Sequence, residues 1–172
     1  MNQEALRIEV RVRRQRSAEK YKPARVRVLL VAEAPPAADD RYFYFEDVTK
    51  HDWLFLGVAE VLLRGRPVRR EKPASLKKLQ EMGFFLIDLK PDPADGSPLQ
   101  EYVPDLIARC RALAAERIIL IKATVYDAAF STMGAAGLPV INQRVYFPST
   151  GRQREFREQF ARALEAREVE DA

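Results

Sequence analysis

Cysteine is almost absent from this chain. Cys110 is the only one in 172 residues, so neither an internal disulfide nor a cysteine-ligated metal or iron–sulfur cluster can be assembled within it. Histidine is as scarce, and His51 stands beside Asp52 at an expected helix start, where it reads as a surface or capping residue rather than the base of a nucleophile triad. No apolar run approaches the roughly 18 residues of a membrane span. The opening Met-Asn-Gln-Glu-Ala-Leu-Arg lacks the basic, apolar and small-residue succession of a secretory leader. A soluble, cytoplasmic protein without a membrane partner is expected. Glycine-rich nucleotide fingerprints, internal repeats and low-complexity tracts are missing as well, and no cofactor or metal is expected.

The composition is that of a globular chain, 47% hydrophobic and 31% charged. Its length suits one domain, 1–172, expected to be monomeric. The 29 basic and 25 acidic side chains leave a net charge of +4 and a pI near 9.3, a mild excess that favours polyanionic partners without requiring them. Arg7, Arg11, Arg13, Arg14 and Arg16 form one basic cluster, and Arg64, Arg66, Arg69, Arg70 and Lys72 another. These are either solvated faces or surfaces that contact phosphates.

Periodicity outlines the elements. Residues 4–16 fit a helical stripe (Leu6, Val10) and also strand alternation (Ile8, Val10, Val12), with the helix preferred. Residues 26–32 predict a first strand. Asp52 can cap a helix over 53–64, and Ser75 can open another that Gly83 closes. Residues 84–89 predict a second strand. Ser97-Pro98-Leu99-Gln100 has a helix-opening pattern, with Pro104 bending or restarting the helix. Residues 117–122 predict a third strand, and Thr124 to Asp127 has the form of a capping box for a helix that ends near Gly134 or Gly137. Residues 139–146 predict a fourth, shorter strand, and 152–168 a final helix. Strand and helix thus alternate about four times, which implies an α/β fold: three α/β/α layers around a central four-stranded parallel sheet.

In such a sheet the carboxyl ends of the strands bring loops to one rim, where open α/β sheets bind ligands. The loops expected there are 33–46, 88–93, 122–124 and 147–152. The first carries Glu33, Asp39 and Asp40, which include a candidate general base or water-orienting carboxylate; Asp39 and Asp40 also suit a surface turn. Tyr42, Phe43, Tyr44 and Phe45 would alternate in direction if extended, leaving at most half to stack on a planar ligand. The last loop places Ser149, Thr150, Gly151 and Arg152 just before a helix. That is either an anion site made from free N–H groups, hydroxyls and an arginine, or simple capping, and the two are compatible.

The order of these segments resembles the uracil-DNA glycosylase superfamily. Leu29-Leu30-Val31-Ala32-Glu33-Ala34-Pro35-Pro36 with Asp39-Asp40 is similar to its first motif, a strand running into Gly-Glu-(Ala or Gly)-Pro-Gly and an acidic pair. Phe85 to Pro91 is similar to the strand that ends in its base-reading asparagine, and Phe147-Pro148-Ser149 to its closing His-Pro-Ser. The resemblance implies hydrolysis of the N-glycosidic bond of a damaged or deaminated base in DNA. Glu33 or Asp39 would orient water, Tyr42 or Phe43 would stack on the base, Asp88 would read its edge, and Ser149 would contact phosphate. DNA, single- or double-stranded, would be the partner, with the base extruded from the stack.

Three positions depart from that pattern. Phe147 stands where the family has the histidine that supports the leaving base, so that charge must be met by another donor. Asp88 stands in place of asparagine, and an ionised carboxylate accepts hydrogen bonds but cannot donate one. Pro36 replaces a glycine and removes a backbone N–H. Two other readings follow: a non-catalytic nucleic-acid or nucleotide-binding member of the same fold, or a metal-assisted phosphoester hydrolase using Glu33, Asp39 and Asp88.

Overall fold

The run Val28–Ala32 forms β1, buried along all five residues. A strand covered on both faces has no use for alternation, which is why it reads as continuous Val-Leu-Leu-Val-Ala. The computed structural model describes residues 2–166, and among them β1 is the middle of a three-stranded parallel sheet in the order β2-β1-β3. Phe84–Asp88 is β2, in register from Val28 opposite Phe84 to Ala32 opposite Asp88. Arg117–Leu120 is β3, with Val28 opposite Arg117 and Val31 opposite Leu120.

The expected fourth strand is not formed. Residues 139–146 touch the sheet only through two isolated parallel bridges, Ile118 with Val140 and Ile121 with Val145. Between them β3 advances three residues while the outer segment advances five, so two residues bulge outward and the ladder cannot run through. Helical side chains hold the bulge: Tyr126 donates to Asn142, and Arg144 pairs with Asp127.

Among the described residues six α-helices surround the sheet. Gln3–Lys20 is α1, which resolves the ambiguous opening in favour of a helix; Asn2 caps it by accepting from the Glu4 N–H at 2.7 Å, and only Val10 and Arg14 are buried. Trp53–Leu62 is α2. Asp52 precedes it but makes no capping bond, because its carboxylate binds Lys72 at 2.7 Å. Lys72–Glu81 is α3, starting three residues before Ser75 with Pro73 in its first turn, a position where the missing N–H costs nothing. A 3-10 turn, Leu99–Tyr102, leads into α4, Val103–Leu113, so Pro104 restarts the helix rather than bending it. Ala123–Ala135 is α5, and the Thr124 hydroxyl serves the site below instead of a capping box. Gln153–Glu165 is α6; residues 167 and 168 of the expected final helix lie outside the described residues. It packs against α2 at Gly57, where an added Cβ would come within 2.9 Å of the Phe156 ring.

The core centres on β1 and β3, with Leu29, Val31, Ile119 and Leu120 fully enclosed, and with Phe55, Phe156 and Phe160 from the helices. Among the described residues no helix is long and apolar enough to cross a membrane.

Candidate functional site

A cleft of about 430 Å³ lies at the carboxyl ends of the strands. The sheet register explains its floor. Ala32 and Asp88 are paired neighbours, so their side chains lie on the same face, and the small Ala32 leaves room beside Asp88. The backbone ladder continues one step further, with Leu89 N–H on Ala32 O and Lys90 N–H on Glu33 O, both at 2.8 Å. The chain then bends at Glu33, which brings Glu33 to the same cleft instead of the opposite face. Pro35, Pro36, Tyr42 and Phe43 form one wall, and Asp52, Trp53 and Phe55 another, with Lys122 and Phe147 completing the rim.

The aromatic run is turned, not extended: the Phe45 N–H donates to Tyr42 O at 3.1 Å. Adjacent Tyr42 and Phe43 therefore both face the cleft. Tyr44 goes inward, its hydroxyl accepting from the Leu86 N–H at 2.8 Å, and Phe45 lies under the Arg13 guanidinium. Lys72, buried beneath α2, fastens this wall through Asp52 and the carbonyl of Tyr42. Burial pushes the Lys72 ammonium down and the Asp52 carboxyl up, each opposed by the other's charge.

Glu33 is held firmly. Lys122 Nζ lies 2.7 Å from its Oε2, and Thr124 donates to the same oxygen at 2.8 Å. Burial would raise its carboxyl, but the bonds from Lys122 and Thr124 outweigh it and leave Glu33 below the ordinary value. Lys122 has φ 85, left-handed backbone rare for a side chain of this kind, and its N–H is anchored on Val145 O at 2.7 Å. His51, also at the cleft, has φ 60. Two of the four described non-glycine residues with positive φ thus border one cleft, the kind of place where backbone strain collects.

Asp88 has no such partners: no described residue hydrogen-bonds its carboxyl oxygens, while Arg109 donates to its backbone carbonyl at 2.8 Å. With Tyr42 it separates the cleft from a second cavity of about 570 Å³, which Arg14 and Arg109 border. Burial pushes the Asp88 carboxyl up to about 7, against the opposing charges of Arg14 and Arg109.

Of the residues expected at the site, Glu33, Tyr42, Phe43 and Asp88 come together, with Phe147 beside them. Asp39 and Asp40 are exposed outside the cleft, and the Asp39 carbonyl is taken by Arg13. Ser149, Thr150, Gly151 and Arg152 stand before α6 but do not line the cleft; Gly151 takes φ 82, neither hydroxyl caps the helix, and Arg152 pairs with Glu155. Arg14 and Lys72, members of the basic clusters, are buried and serve internal carbonyls and Asp52, so neither faces a nucleic acid. Among the described residues no three histidine, cysteine or acidic side chains converge to hold a metal. Sequence reading missed the roles of Lys122 and Thr124 as partners of Glu33, and of Arg14 and Arg109 as neighbours of Asp88. The position of 122–124 at the rim was the available signal for the first pair.

In comparisons with known proteins, no family model, no curated protein and no solved structure matches the chain.

Proposed function

We propose that this chain is a uracil-DNA-glycosylase-like protein that hydrolyses the N-glycosidic bond of a damaged or deaminated base in DNA. The observation that carries the reading is convergence: Glu33, Tyr42, Phe43, Asp88 and Phe147, drawn from three separate segments, border a single cleft. Its volume is of the size that small planar ligands fill, roughly 300 to 1,000 Å³. Tyr42 and Phe43 give the cleft an aromatic wall, Asp88 presents an unsatisfied carboxyl to a base edge, and Glu33 keeps a negative charge for a sugar that becomes cationic as the base leaves. Exposed Arg152 and the turn at Gly151 suit a backbone phosphate near the start of α6.

The test is release of base. Single- and double-stranded oligonucleotides carrying uracil, hypoxanthine, xanthine or a mismatched base are incubated with the protein, and abasic sites are revealed by alkaline cleavage. At least one substrate should be cut; no cleavage above background from any of them refutes the proposal.

One observation favours a second reading, a non-catalytic nucleic-acid-binding module. Phe147 puts an apolar ring where a donor to the leaving base would be useful. That reading expects salt-sensitive DNA binding without product.

A further inference from the structure

Among the described residues three carboxyl groups border the cleft, and two of them have cationic partners. Glu33 is bound by Lys122 and Thr124, and Asp52 by Lys72. Both bonds to Glu33 fall on Oε2 and that to Asp52 on Oδ2, so among the described residues at the cleft Asp88 is the carboxyl with neither oxygen bonded. We propose that Asp88 is the general acid of this cleft, hydrogen-bonding the extruded base as a neutral carboxyl and passing it a proton as the glycosidic bond breaks. This rests on the glycoside-hydrolysing reading above and assigns the step that reading leaves open, the fate of the charge on the departing base.

The surroundings of Asp88 push its carboxyl up to about 7, so a neutral fraction persists at neutral pH. From α1 comes Arg14, whose guanidinium donates to Pro36 O at 2.7 Å and Ala38 O at 3.3 Å. From α4 comes Arg109, which spends its N–H groups on Asp105 and on the carbonyls of Asp88 and Leu89. Both cations are near, yet neither bonds the carboxylate, so their attraction does not compensate burial. Tyr42 and Tyr44 approach from the aromatic loop, and burial raises both hydroxyls, so they remain neutral. Lys90, next after Leu89, is turned away to Asp95 and Ser97. Across the cleft Glu33 and Lys122 offset each other, with His51 and Arg41 at the edge. A carboxyl that titrates near 7 is suited to donating a proton at working pH.

A neutral carboxyl offers one donor and one acceptor, the same pair as an asparagine amide, and so can match an O=C–N–H edge. Unlike an amide it can give its proton up. In the step proposed, the electron pair of the C1′–N bond passes to the base. The Asp88 proton moves to the carbonyl oxygen or ring nitrogen facing it, and the base leaves neutral. Water adds its oxygen to C1′, its proton goes to solvent, and the Asp88 carboxylate regains a proton from solvent. Phe147 is then no handicap, because no anion remains for a donor at that position to hold.

Single-turnover rates on uracil-containing DNA, from pH 5 to 9, test the assignment with the wild type and Asp88→Asn. The wild-type rate should level off at low pH and fall about tenfold per unit above about 7. Asp88→Asn keeps the donor and acceptor but has no proton to give; it should lose about 100-fold or more and show no such limb. The loss should be smallest on 5-fluorouracil, which departs readily as an anion. Binding of DNA that holds a non-hydrolysable 2′-fluoro analogue should stay within a few-fold. An Asp88→Asn protein as fast as wild type, or equally impaired on every base together with lost binding, overturns the assignment. A wild type that releases no base at all overturns the glycosylase reading itself, and the two failures are told apart by that control.

Discussion

Glu33 and Asp88 leave adjacent, hydrogen-bonded strands and open on the same cleft, yet their environments push them in opposite directions. Glu33 is half-buried between Lys122 and Thr124 and is held ionised; Asp88 is ringed by two arginines that bond to backbone carbonyls instead, and keeps its proton to about 7. The lesson is that proximity of charge is not pairing. At half-buried Glu33 a cation that also donates a hydrogen bond outweighs burial, at Asp88 two cations that do not bond it fail to, and at Asp52 burial prevails even over the bond from Lys72. Two carboxyls separated in this way can divide the labour of a hydrolysis, one as a fixed charge and one as a proton donor.

The comparison can be broken most forcefully through the wall that shapes it. Lys72→Met leaves Asp52 without its cation and frees the Tyr42 carbonyl, and should cost about 3 kcal/mol in urea unfolding at pH 7. A loss within error would mean that the aromatic wall does not depend on the pair.

Stability against pH reads Asp88 itself. Its folded value is raised, so the folded state holds a proton that the unfolded chain has released, and that contribution is lost as pH rises from about 4 to about 7. The slope should be on the order of 1 kcal/mol per unit over that window, and Asp88→Asn should flatten it. Unchanged slopes in the variant would place the titration elsewhere.

Glu33 has the opposite sign. Its folded value is lowered, so its contribution is present above the unfolded value and lost as pH falls through the folded one. Lys122→Met should cost about 1 kcal/mol at pH 7, discounted for the exposure of Lys122, and shift the Glu33 carboxyl upward in a ¹³C NMR titration. An unmoved Glu33 would show that Lys122 does not hold it.

The smallest effect is expected at the rim. Arg152→Gln should weaken DNA binding a few-fold, lower the salt slope by about 1 and leave single-turnover chemistry unchanged. A large drop in the chemical step would bring α6 into the cleft after all.

Much of the fold was readable because its signals are local. The unbroken apolar run of β1 and Gly83, closing α3 at φ 85, act through near neighbours. The fourth strand failed where the deciding contacts are remote: residues 139–146 have strand-like composition, but Asn142 and Arg144 answer to Tyr126 and Asp127 on α5. Asp52 has the side chain of a cap and sits at the start of α2, and Thr124 has such a side chain but falls inside the first turn of α5; Lys72 and Glu33 claim them. Capping is worth about 1 kcal/mol, and a partly buried charge left alone costs more, so the tertiary partner wins.

By itself the amino-acid order determined an α/β chain with parallel strands and helices in alternation, and it placed Glu33, Tyr42, Phe43 and Asp88 near strand ends, because hydrophobic period and turn chemistry are properties of neighbouring residues. Only the tertiary structure decided that Asp39 and Ser149 lie outside the cleft, that Glu33 is paired and that Asp88 is not. Burial and pairing depend on groups brought together from distant parts of the chain, and a carboxyl's charge follows from them.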